Sequence, residues 1–286
     1  MADLEVIESV AAMQEWSESH RNAGRTVGCV PTMGYLHEGH VSLIREAARR
    51  ADAVVMTLFV NPTQFAPHED LDRYPRDFEG DCAKAKEAGA HAVFYPSASE
   101  MYPEGYQTYV TVEQVTRDME GASRPTHFRG VSTVVNKLFN ATRPHLAVFG
   151  EKDFQQLAVI RTMVRDLNMG VLIIGMPTVR EEDGLAMSSR NVYLSPDERK
   201  RALSISRAIF AARDAVSAGE TDAALVLDAA KKEMEMAGMD LDYVELRDEE
   251  TLAPIEKVTK KARVLVAARV GNVRLIDNIG LLPAEK

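Results

Sequence analysis

The chain has 286 residues, and 45% of them are hydrophobic, so it is long enough to bury the cores of two domains. Its formal net charge is −9, which disfavours binding to nucleic acids and to anionic membranes. An RNA-binding module would need a basic face, so the charge favours a small-molecule substrate. No stretch of about 18 apolar residues is present, and the acidic N-terminal sequence lacks the features of a signal peptide, which predicts a cytoplasmic protein.

Short apolar and β-branched runs alternate with helical patterns through the first 176 residues. Helical composition is found in VSLIREAARRA and FEGDCAKAKEAGA. Strands with few polar residues that alternate with helices are typical of a parallel sheet covered on both faces. We therefore predict a doubly wound, Rossmann-like α/β domain over residues 1–176. Its predicted strands are TVGCVPT, AVVMTLFVNP, HAVFYP, LAVFGE and VLIIGMP.

The pattern changes after Pro177. Two amphipathic helices are predicted, SPDERKRALSISRAIFAARDAVSAGE and TDAALVLDAAKKEMEMAG, each with a Ser or Thr as candidate N-cap and a closing glycine. Three strands follow, LDYVELRD, ARVLVAARV and VRLIDNIG, and the last two are joined through VGN as an antiparallel hairpin. This indicates a smaller α+β domain over residues 177–286.

The segment CVPTMGYLHEGHVSLIREA places two histidines at a predicted strand-to-helix junction. Gly34 allows a sharp turn after the strand, and Gly39 allows a phosphate to approach the backbone at the helix start. His37 and His40 lie one helical turn apart and are expected to face the same ligand. An imidazole there can stabilise charge that grows on a triphosphate as its bond breaks.

Two other interpretations of this segment remain open. Zinc proteases need H-E-x-x-H inside a helix, whereas H-E-G-H spaces the histidines three apart and contains a glycine, which disfavours zinc. The histidines could also be incidental turn residues.

Cys29 and Cys82, the only cysteines, lie in strand-like and helix-like runs, so we predict thiols and no disulfide or zinc framework.

Two later segments carry groups suited to phosphate. FGEKDFQQL is a second strand-to-helix junction, where backbone N–H groups and the Lys152 ammonium could hold a nucleotide. VREEDGLAMSSRNVYLS is a polar loop in which Ser188 and Ser189 can donate to phosphate oxygens and Arg190 can clamp them bidentately. Either segment alone could be a solvated turn.

Taken together, these motifs resemble a known family. H-x-G-H with a distal Ser-rich loop resembles the nucleotidyl-transferring superfamily with HIGH and KMSKS motifs. PTMGYLHEGH, FVNPTQF, EGASRPTHFRGVSTVV, FGEKDFQQL and DGLAMSSRN, in this order, resemble the pantoate–beta-alanine ligases over nearly the whole chain. Where the superfamily has KMSKS this chain has MSSR, so Arg190 would supply the charge that lysine supplies elsewhere.

The resemblance implies ATP-dependent condensation of (R)-pantoate with β-alanine to pantothenate, AMP and pyrophosphate through a pantoyl adenylate, with Mg²⁺ on the triphosphate and a homodimeric enzyme. It implies His40 as proton donor, Gln64 as a ligand of pantoate and β-alanine, and Gln156 as a ligand of pantoate. The residues implied to bind ATP are Met33, Gly34, Tyr35, Leu36, His37, Glu38, Gly39, His40, Gly150, Glu151, Lys152, Asp153, Val179, Met187, Ser188, Ser189 and Arg190.

The sequence leaves some roles open. The alternative function is a nucleotidyltransferase that acts on a phosphorylated acceptor, but this would need a basic acceptor pocket, and the Gln64 and Gln156 motifs offer neutral amides. Arg124, Arg129 and Lys137 could face the pocket or a partner subunit. Asp81 could help to hold magnesium, although spacing does not decide it, and no protein ligand of a metal is assigned.

Overall fold

The computed structural model describes residues 4–66, 69 and 71–283. The chain forms two compact units. The first contains the residues up to Gly150 together with Val159–Pro177, and the second contains Glu151–Ala158 together with the residues from Thr178 onward. No helix in the described ranges is both long enough and apolar enough to cross a membrane.

The first unit is built on a six-stranded sheet in the order β1-β4-β3-β2-β5-β6, and each neighbouring pair runs parallel. The central strands β2 and β3 are almost entirely buried, as expected for apolar strands covered on both faces. The strands are β1 (Glu5–Ile7), β2 (Val27–Thr32), β3 (Ala53–Leu58), β4 (Ala92–Phe94), β5 (Leu146–Gly150) and β6 (Leu172–Met176).

Helices cover this sheet and complete the predicted α/β fold class, which is confirmed. The helices are α1 (Val10–Asn22), α2 (Glu38–Arg50), α3 (Phe78–Glu87), α4 (Ala98–Met101), α5 (Glu120–Ser123), α6 (His127–Thr142) and α7 (Phe154–Asp166), whose first five residues belong to the second unit. In α2, Val41, Ile44 and Ala47 recur at helical spacing and are buried in the core. Strand order reverses between β2 and β5, and ligands of such sheets bind at the carboxyl ends beside this point.

The second unit packs two helices against an antiparallel sheet in the order β7-β8-β9. Its elements are α8 (Pro196–Ser217), α9 (Ala223–Met236), β7 (Asp240–Asp248), β8 (Ala262–Val270) and β9 (Val273–Leu281). Ile205 and Ile209 of α8 are buried with Val264 and Val266 of β8 in one core. Gly271, with φ 57°, forms the predicted hairpin turn between β8 and β9.

Two local features differ from the sequence-based expectation. Strand β1 was not predicted, because three residues at the edge of a sheet carry too short a pattern to recognise. The N-cap of α9 is Asp222, not a Ser or Thr, and its side chain accepts from the N–H groups of Ala224 and Leu225. Ser195 caps α8 as predicted. Cys29 and Cys82 are free thiols.

Candidate active site

The H-x-G-H segment leaves the carboxyl end of β2 through a turn with two consecutive left-handed residues. Gly34 has φ 89° and Tyr35 has φ 52°. The Gly34 N–H donates to Thr32 Oγ1 at 3.3 Å. A Cβ atom on Gly34 would lie 2.9 Å from Asp81 Oδ2, so both backbone conformation and space require glycine here.

Asp81 of α3 holds this turn through its backbone. Its Oδ2 accepts from the Tyr35 N–H at 2.7 Å and its Oδ1 from the Leu36 N–H at 2.6 Å. Lys84, one helical turn further on, donates to the Leu36 carbonyl at 2.8 Å. Burial raises the pKa of Asp81, while the N–H groups of Leu36 and Tyr35 act in the opposite direction. The two oxygens that the sequence left open for magnesium are therefore directed at the backbone of the turn.

His37 and His40 are brought together at the start of α2. His37 is the N-cap, and the ring centroids of the two residues lie 4.1 Å apart. The His37 backbone N–H lies 3.4 Å from His40 Nδ1. Because a backbone N–H can only donate, Nδ1 is the acceptor and the neutral ring carries its proton on Nε2. In this tautomer His40 carries an Nε2–H group in the first turn of α2, and a helix N-terminus favours anions.

Gln64 lies in a 3₁₀ turn, Pro62–Gln64, that follows β3, and only 8% of it is exposed. Asn61 caps this turn, and its Nδ2 donates to Gln64 Oε1 at 3.2 Å. Gln64 Nε2 in turn donates to Met33 Sδ at 3.0 Å. The amide of Gln64 thus has a fixed orientation beside Met33, the residue before the Gly34 turn. Asn61 was not assigned a role from the sequence, although Asn-Pro is a recognisable start signal for a turn.

The main chain of Gln64 is held by His127 at the start of α6 and by Arg124, which follows α5. His127 Nδ1 lies 3.0 Å from the Gln64 carbonyl, and Arg124 Nη2 donates to the same oxygen at 3.3 Å. Arg124 also forms a two-bond ion pair with Glu69, with both distances 2.7 Å. Burial, together with the Arg124 charge, lowers the pKa of His127 to about 4. Neutral His127 therefore donates through Nδ1 and presents Nε2 to Arg124.

Three tyrosines form a ladder next to this turn. Tyr102 donates to Asn61 Oδ1 at 2.9 Å, and burial raises the pKa of Tyr102 to about 12. Tyr106 stacks edge-on between Tyr102 and Tyr109. The two cations whose roles the sequence left open lie over these rings: Lys137 Nζ is 4.7 Å from the Tyr106 centroid, and the Arg129 guanidinium carbon is 3.8 Å from the Tyr109 centroid. Both cations are thus engaged within the ladder.

In the second unit, the E-K-D part of the G-E-K-D segment forms a 3₁₀ turn over Glu151–Asp153 directly before α7. The carbonyls of Glu151 and Lys152 both accept from Asn278 Nδ2, at 2.9 and 2.8 Å. Lys152 Nζ lies 3.8 Å from Asp153 Oδ1, and 22% of its side chain is exposed. Gln156 lies half-buried in the first turn of α7. The turn therefore has a fixed backbone and a partly accessible ammonium.

The loop that carries Met187 to Arg190 has a defined backbone in the same unit. The Met187 N–H donates to the Val179 carbonyl at 3.0 Å, and Arg180 pairs with Ala186 as a short antiparallel bridge. Ser188 caps a 3₁₀ turn, Ser189–Tyr193, by accepting from the Arg190 N–H at 3.3 Å. Val179 and Met187 are thus adjacent, and the two serines and Arg190 follow at the start of a helical turn.

The predicted site residues fall into two groups. Met33 to His40, Gln64 and Gly150 lie at carboxyl ends of β2, β3 and β5 in the first unit. Glu151 to Asp153, Gln156, Val179 and Met187 to Arg190 lie in the second unit. No role was predicted for His127, Asn278 or Asp277, because their partners in the motifs are distant in sequence. Over the described part of the chain, no group of three or more His, Cys, Asp or Glu side chains could hold a metal ion.

Comparisons with known proteins agree over nearly the whole chain. The family model for pantoate-beta-alanine ligase matches residues 5–280. The pantothenate synthetase of Myxococcus xanthus is 56% identical over 96% of both chains. That of Anaeromyxobacter dehalogenans is 58% identical over 99% of this chain and 100% of its own length.

Solved structures show the same fold. The pantothenate synthetase of Thermus thermophilus superposes with a TM-score of 0.93 at 47% identity, covering 98% of this chain and 100% of its own. The pantoate-beta-alanine ligase of Francisella tularensis, solved in complex with beta-gamma ATP and beta-alanine, has a TM-score of 0.81 at 31% identity, covering 96% of this chain and 97% of its own. The family indicated by the sequence motifs is thereby confirmed, and this chain belongs to the pantoate–beta-alanine ligases.

Proposed function

We propose that this chain condenses (R)-pantoate with β-alanine, at the expense of ATP, to give pantothenate, AMP and pyrophosphate. Membership of the ligase family supports the proposal, as do relatives with 51% identity or more that are named pantothenate synthetase. The Francisella ligase, which binds beta-gamma ATP and beta-alanine, supports ATP and β-alanine as two of the three substrates. The observation that carries the proposal is the His37–His40 pair, fixed at a helix N-terminus by the Asp81-bound turn.

The first half-reaction activates the acid. A pantoate carboxylate oxygen attacks the α-phosphorus of ATP, the bond to the β-phosphate oxygen breaks, and pyrophosphate leaves with the electron pair. His40 Nε2–H supplies a donor to the charge that grows on the phosphate oxygens. In this proposal the Lys152 ammonium, the hydroxyls of Ser188 and Ser189, and the Arg190 guanidinium bind the remaining phosphate charge. The other ATP contacts are assigned to Met33 to Gly39, Gly150, Glu151, Asp153, Val179 and Met187.

The second half-reaction forms the amide. The β-alanine amine attacks the carbonyl carbon of pantoyl adenylate, the bond to the AMP oxygen breaks, and AMP leaves while the nitrogen loses a proton. Gln64 and Gln156 are assigned to pantoate, and Gln64 also to β-alanine. A neutral amide can donate to a carboxylate and also accept from a hydroxyl, which suits a hydroxy acid better than a triphosphate.

ATP is proposed to enter as its magnesium complex, so that the ion arrives with the substrate. The donor set of the chain is consistent with this, because the Asp81 oxygens already accept two backbone N–H groups in the H-x-G-H turn. We also propose a homodimer, as the family resemblance implies, and a cytoplasmic location, as the sequence predicts. Size-exclusion chromatography with light scattering tests the assembly.

The proposed function is tested by analysing products. Purified protein given ATP, Mg²⁺, pantoate and β-alanine should form pantothenate and AMP in equal amounts, measured by mass spectrometry. Release of ADP in place of AMP, or transfer of AMP to a phosphorylated acceptor with no activity on pantoate, would contradict it.

A further inference from the structure

Two consecutive polar residues of β9, Asp277 and Asn278, are among the most buried polar side chains in the second unit, at 3% and 4% exposure. Successive side chains of a strand point to opposite faces of the sheet. Asp277 is paired with Val266, which lies in the core with α8, and Asn278 is paired with Leu265. The two side chains therefore leave the same strand in opposite directions.

Asn278 holds the Glu151–Asp153 turn. One amide nitrogen donates to two successive carbonyls, those of Glu151 and Lys152, at 2.9 and 2.8 Å. The amide oxygen accepts from Arg263 Nη1 at 2.6 Å, which fixes which end of the amide faces the turn. Only a side chain with both a donor and an acceptor at this position can make these contacts.

Arg263 reinforces that turn on its other side. It is 5% exposed, its Nη2 lies 3.2 Å from the Glu151 carboxylate, and its guanidinium carbon lies 3.6 Å from the centroid of the Phe154 ring. Both the backbone and the side chain of Glu151 are thus fixed from the sheet. Lys152 follows directly on this anchored residue.

Asp277 holds the other segment. Its two oxygens accept from Arg180 Nη1 and Nη2, at 2.6 and 3.0 Å, in a bidentate ion pair. Arg180 also donates to the Gly184 carbonyl at 3.2 Å and bridges to Ala186. The Arg180 backbone follows Val179, whose carbonyl accepts from Met187. The ion pair thus fixes the base of the loop that ends in Ser188, Ser189 and Arg190.

We propose that Asp277 and Asn278 are positioning residues for ATP, and that β9 fixes the Lys152 turn and the Met187–Arg190 loop at one distance from each other. Neighbouring positions of one strand give the two segments a common rigid support. A shift of about 1 Å between the two sets of phosphate-binding groups would weaken a ligand that must contact both, and such a misplacement can cost about a hundredfold in rate. The inference rests on the proposed function, because it concerns the ATP site of that reaction.

The test measures pantoate-dependent exchange of labelled pyrophosphate into ATP, with KM determined separately for ATP and for pantoate. Asp277→Asn and Asn278→Asp should each raise KM for ATP by about tenfold or more and change KM for pantoate by less than about twofold. Arg180→Lys keeps the charge but loses the bidentate geometry, and it should act in the same direction. The Arg180 side chain is 19% exposed, so its replacement should disturb folding less than a change in β9. If a β9 variant does not fold, Arg180→Lys therefore tests the positioning role.

Asp248→Asn is the matched control. Asp248 is also 3% exposed, ends β7 of the same sheet and pairs with Lys260 at 2.6 Å, but none of its hydrogen bonds in the described part of the chain reaches either ATP segment. It should lower the melting temperature about as much as Asp277→Asn while leaving KM for ATP unchanged.

The double variant Arg180→Lys with Asp277→Asn should raise KM for ATP no more than the more affected single variant does, because both changes break the same ion pair.

Three results would overturn the inference: an unchanged KM for ATP in folded Arg180→Lys, an equal rise of both KM values, or an equal rise of KM for ATP in Asp248→Asn. Wild-type protein is the control for the proposed function itself. If folded wild-type protein shows no exchange with pantoate, the proposed function fails. If wild-type protein exchanges and the variants match it, only the positioning role fails.

Discussion

The carboxylate of Asp81 accepts a 2.7 Å hydrogen bond from the backbone N–H of Tyr35, a residue held in the left-handed conformation at φ 52°. A non-glycine residue adopts this conformation at a cost of about 1 kcal/mol or more, so the hydrogen bond stabilises a strained turn. The two residues are 46 positions apart. The turn that begins α2 is therefore fixed by α3.

Gly34→Ala tests how far this turn depends on its geometry. The backbone there has φ 89°, and the added Cβ would lie 2.9 Å from Asp81 Oδ2. We expect the free energy of unfolding to fall by about 2 kcal/mol or more, and adenylate formation to slow, because Asp81 must move away from the turn. Urea unfolding and single-turnover assays measure the two effects.

Gly24→Ala is the control for this variant. Gly24 also has positive φ, 71°, but a Cβ there would meet no atom within 4 Å. It should show the conformational cost of about 1 kcal/mol and normal adenylate formation. Equal effects of both variants on activity would contradict a specific role for the Gly34 and Asp81 contact.

The lowered pKa of His127 predicts that the free energy of unfolding depends on pH. Its pKa is lowered from 6.5 to about 4 in the folded chain, so protons bind the unfolded chain more readily between these values. The stability contribution of neutral His127 is therefore complete above a pH of about 6.5 and is lost as pH falls towards about 4. Between pH of about 7 and about 5 the loss should be about 2 kcal/mol.

The variant His127→Gln isolates this contribution. Glutamine can still donate to the Gln64 carbonyl but does not titrate in this range. Urea unfolding at both pH values should show a smaller loss of stability in the variant than in the wild type. An identical loss in both proteins would mean that His127 is not the group that titrates.

Gln64 and Gln156 are predicted to recognise the acid and not the nucleotide. Replacing either by Ala should weaken pantoate binding by about 1 to 3 kcal/mol, the cost of leaving polar partners unpaired, with little change for ATP. Gln64→Glu should weaken pantoate binding more than Gln64→Ala, because glutamate has the same shape as glutamine but carries a negative charge that repels the pantoate carboxylate. Calorimetric titration that showed an equal loss for ATP would remove these residues from the acid site.

The main elements of the fold follow from local patterns. Five of the six parallel strands, the helices α2, α3, α8 and α9 and the β8–β9 hairpin lie where the sequence predicts them, because apolar period and glycine punctuation are local signals. Strand β1 was missed, since its three residues pair only at the sheet edge with β4.

The residues that hold the motifs in place could not be predicted from the sequence. Asp81 contacts Tyr35, His127 contacts Gln64 over 63 positions, and Asn278 contacts Lys152 over 126 positions. Which side chains meet at such separations is decided by how helices and strands pack, and one sequence carries no local signal for it. The sequence thus carries local signals for the motifs themselves, but none for the distant residues that hold them in place.

His40 is predicted to act on the adenylation step. His40→Ala removes the Nε2–H donor and should slow adenylate formation by about a hundredfold or more, the usual scale for one transition-state donor. His40→Gln keeps an N–H donor and should be less impaired. A rate near that of the wild type in folded His40→Ala would contradict the assignment of His40 as a donor in adenylation.

The most direct test of the account is whether pantoate alone, without β-alanine, supports exchange of labelled pyrophosphate into ATP. If the protein makes pantoyl adenylate, the first half-reaction is reversible before any amine is needed, and exchange should proceed with pantoate and Mg²⁺. A kinase-like transfer of the γ-phosphate would release ADP and give no exchange, and a nucleotidyltransferase would exchange only with its phosphorylated acceptor. Pantoate-dependent exchange is the predicted result, and its absence with folded protein would contradict the adenylate mechanism.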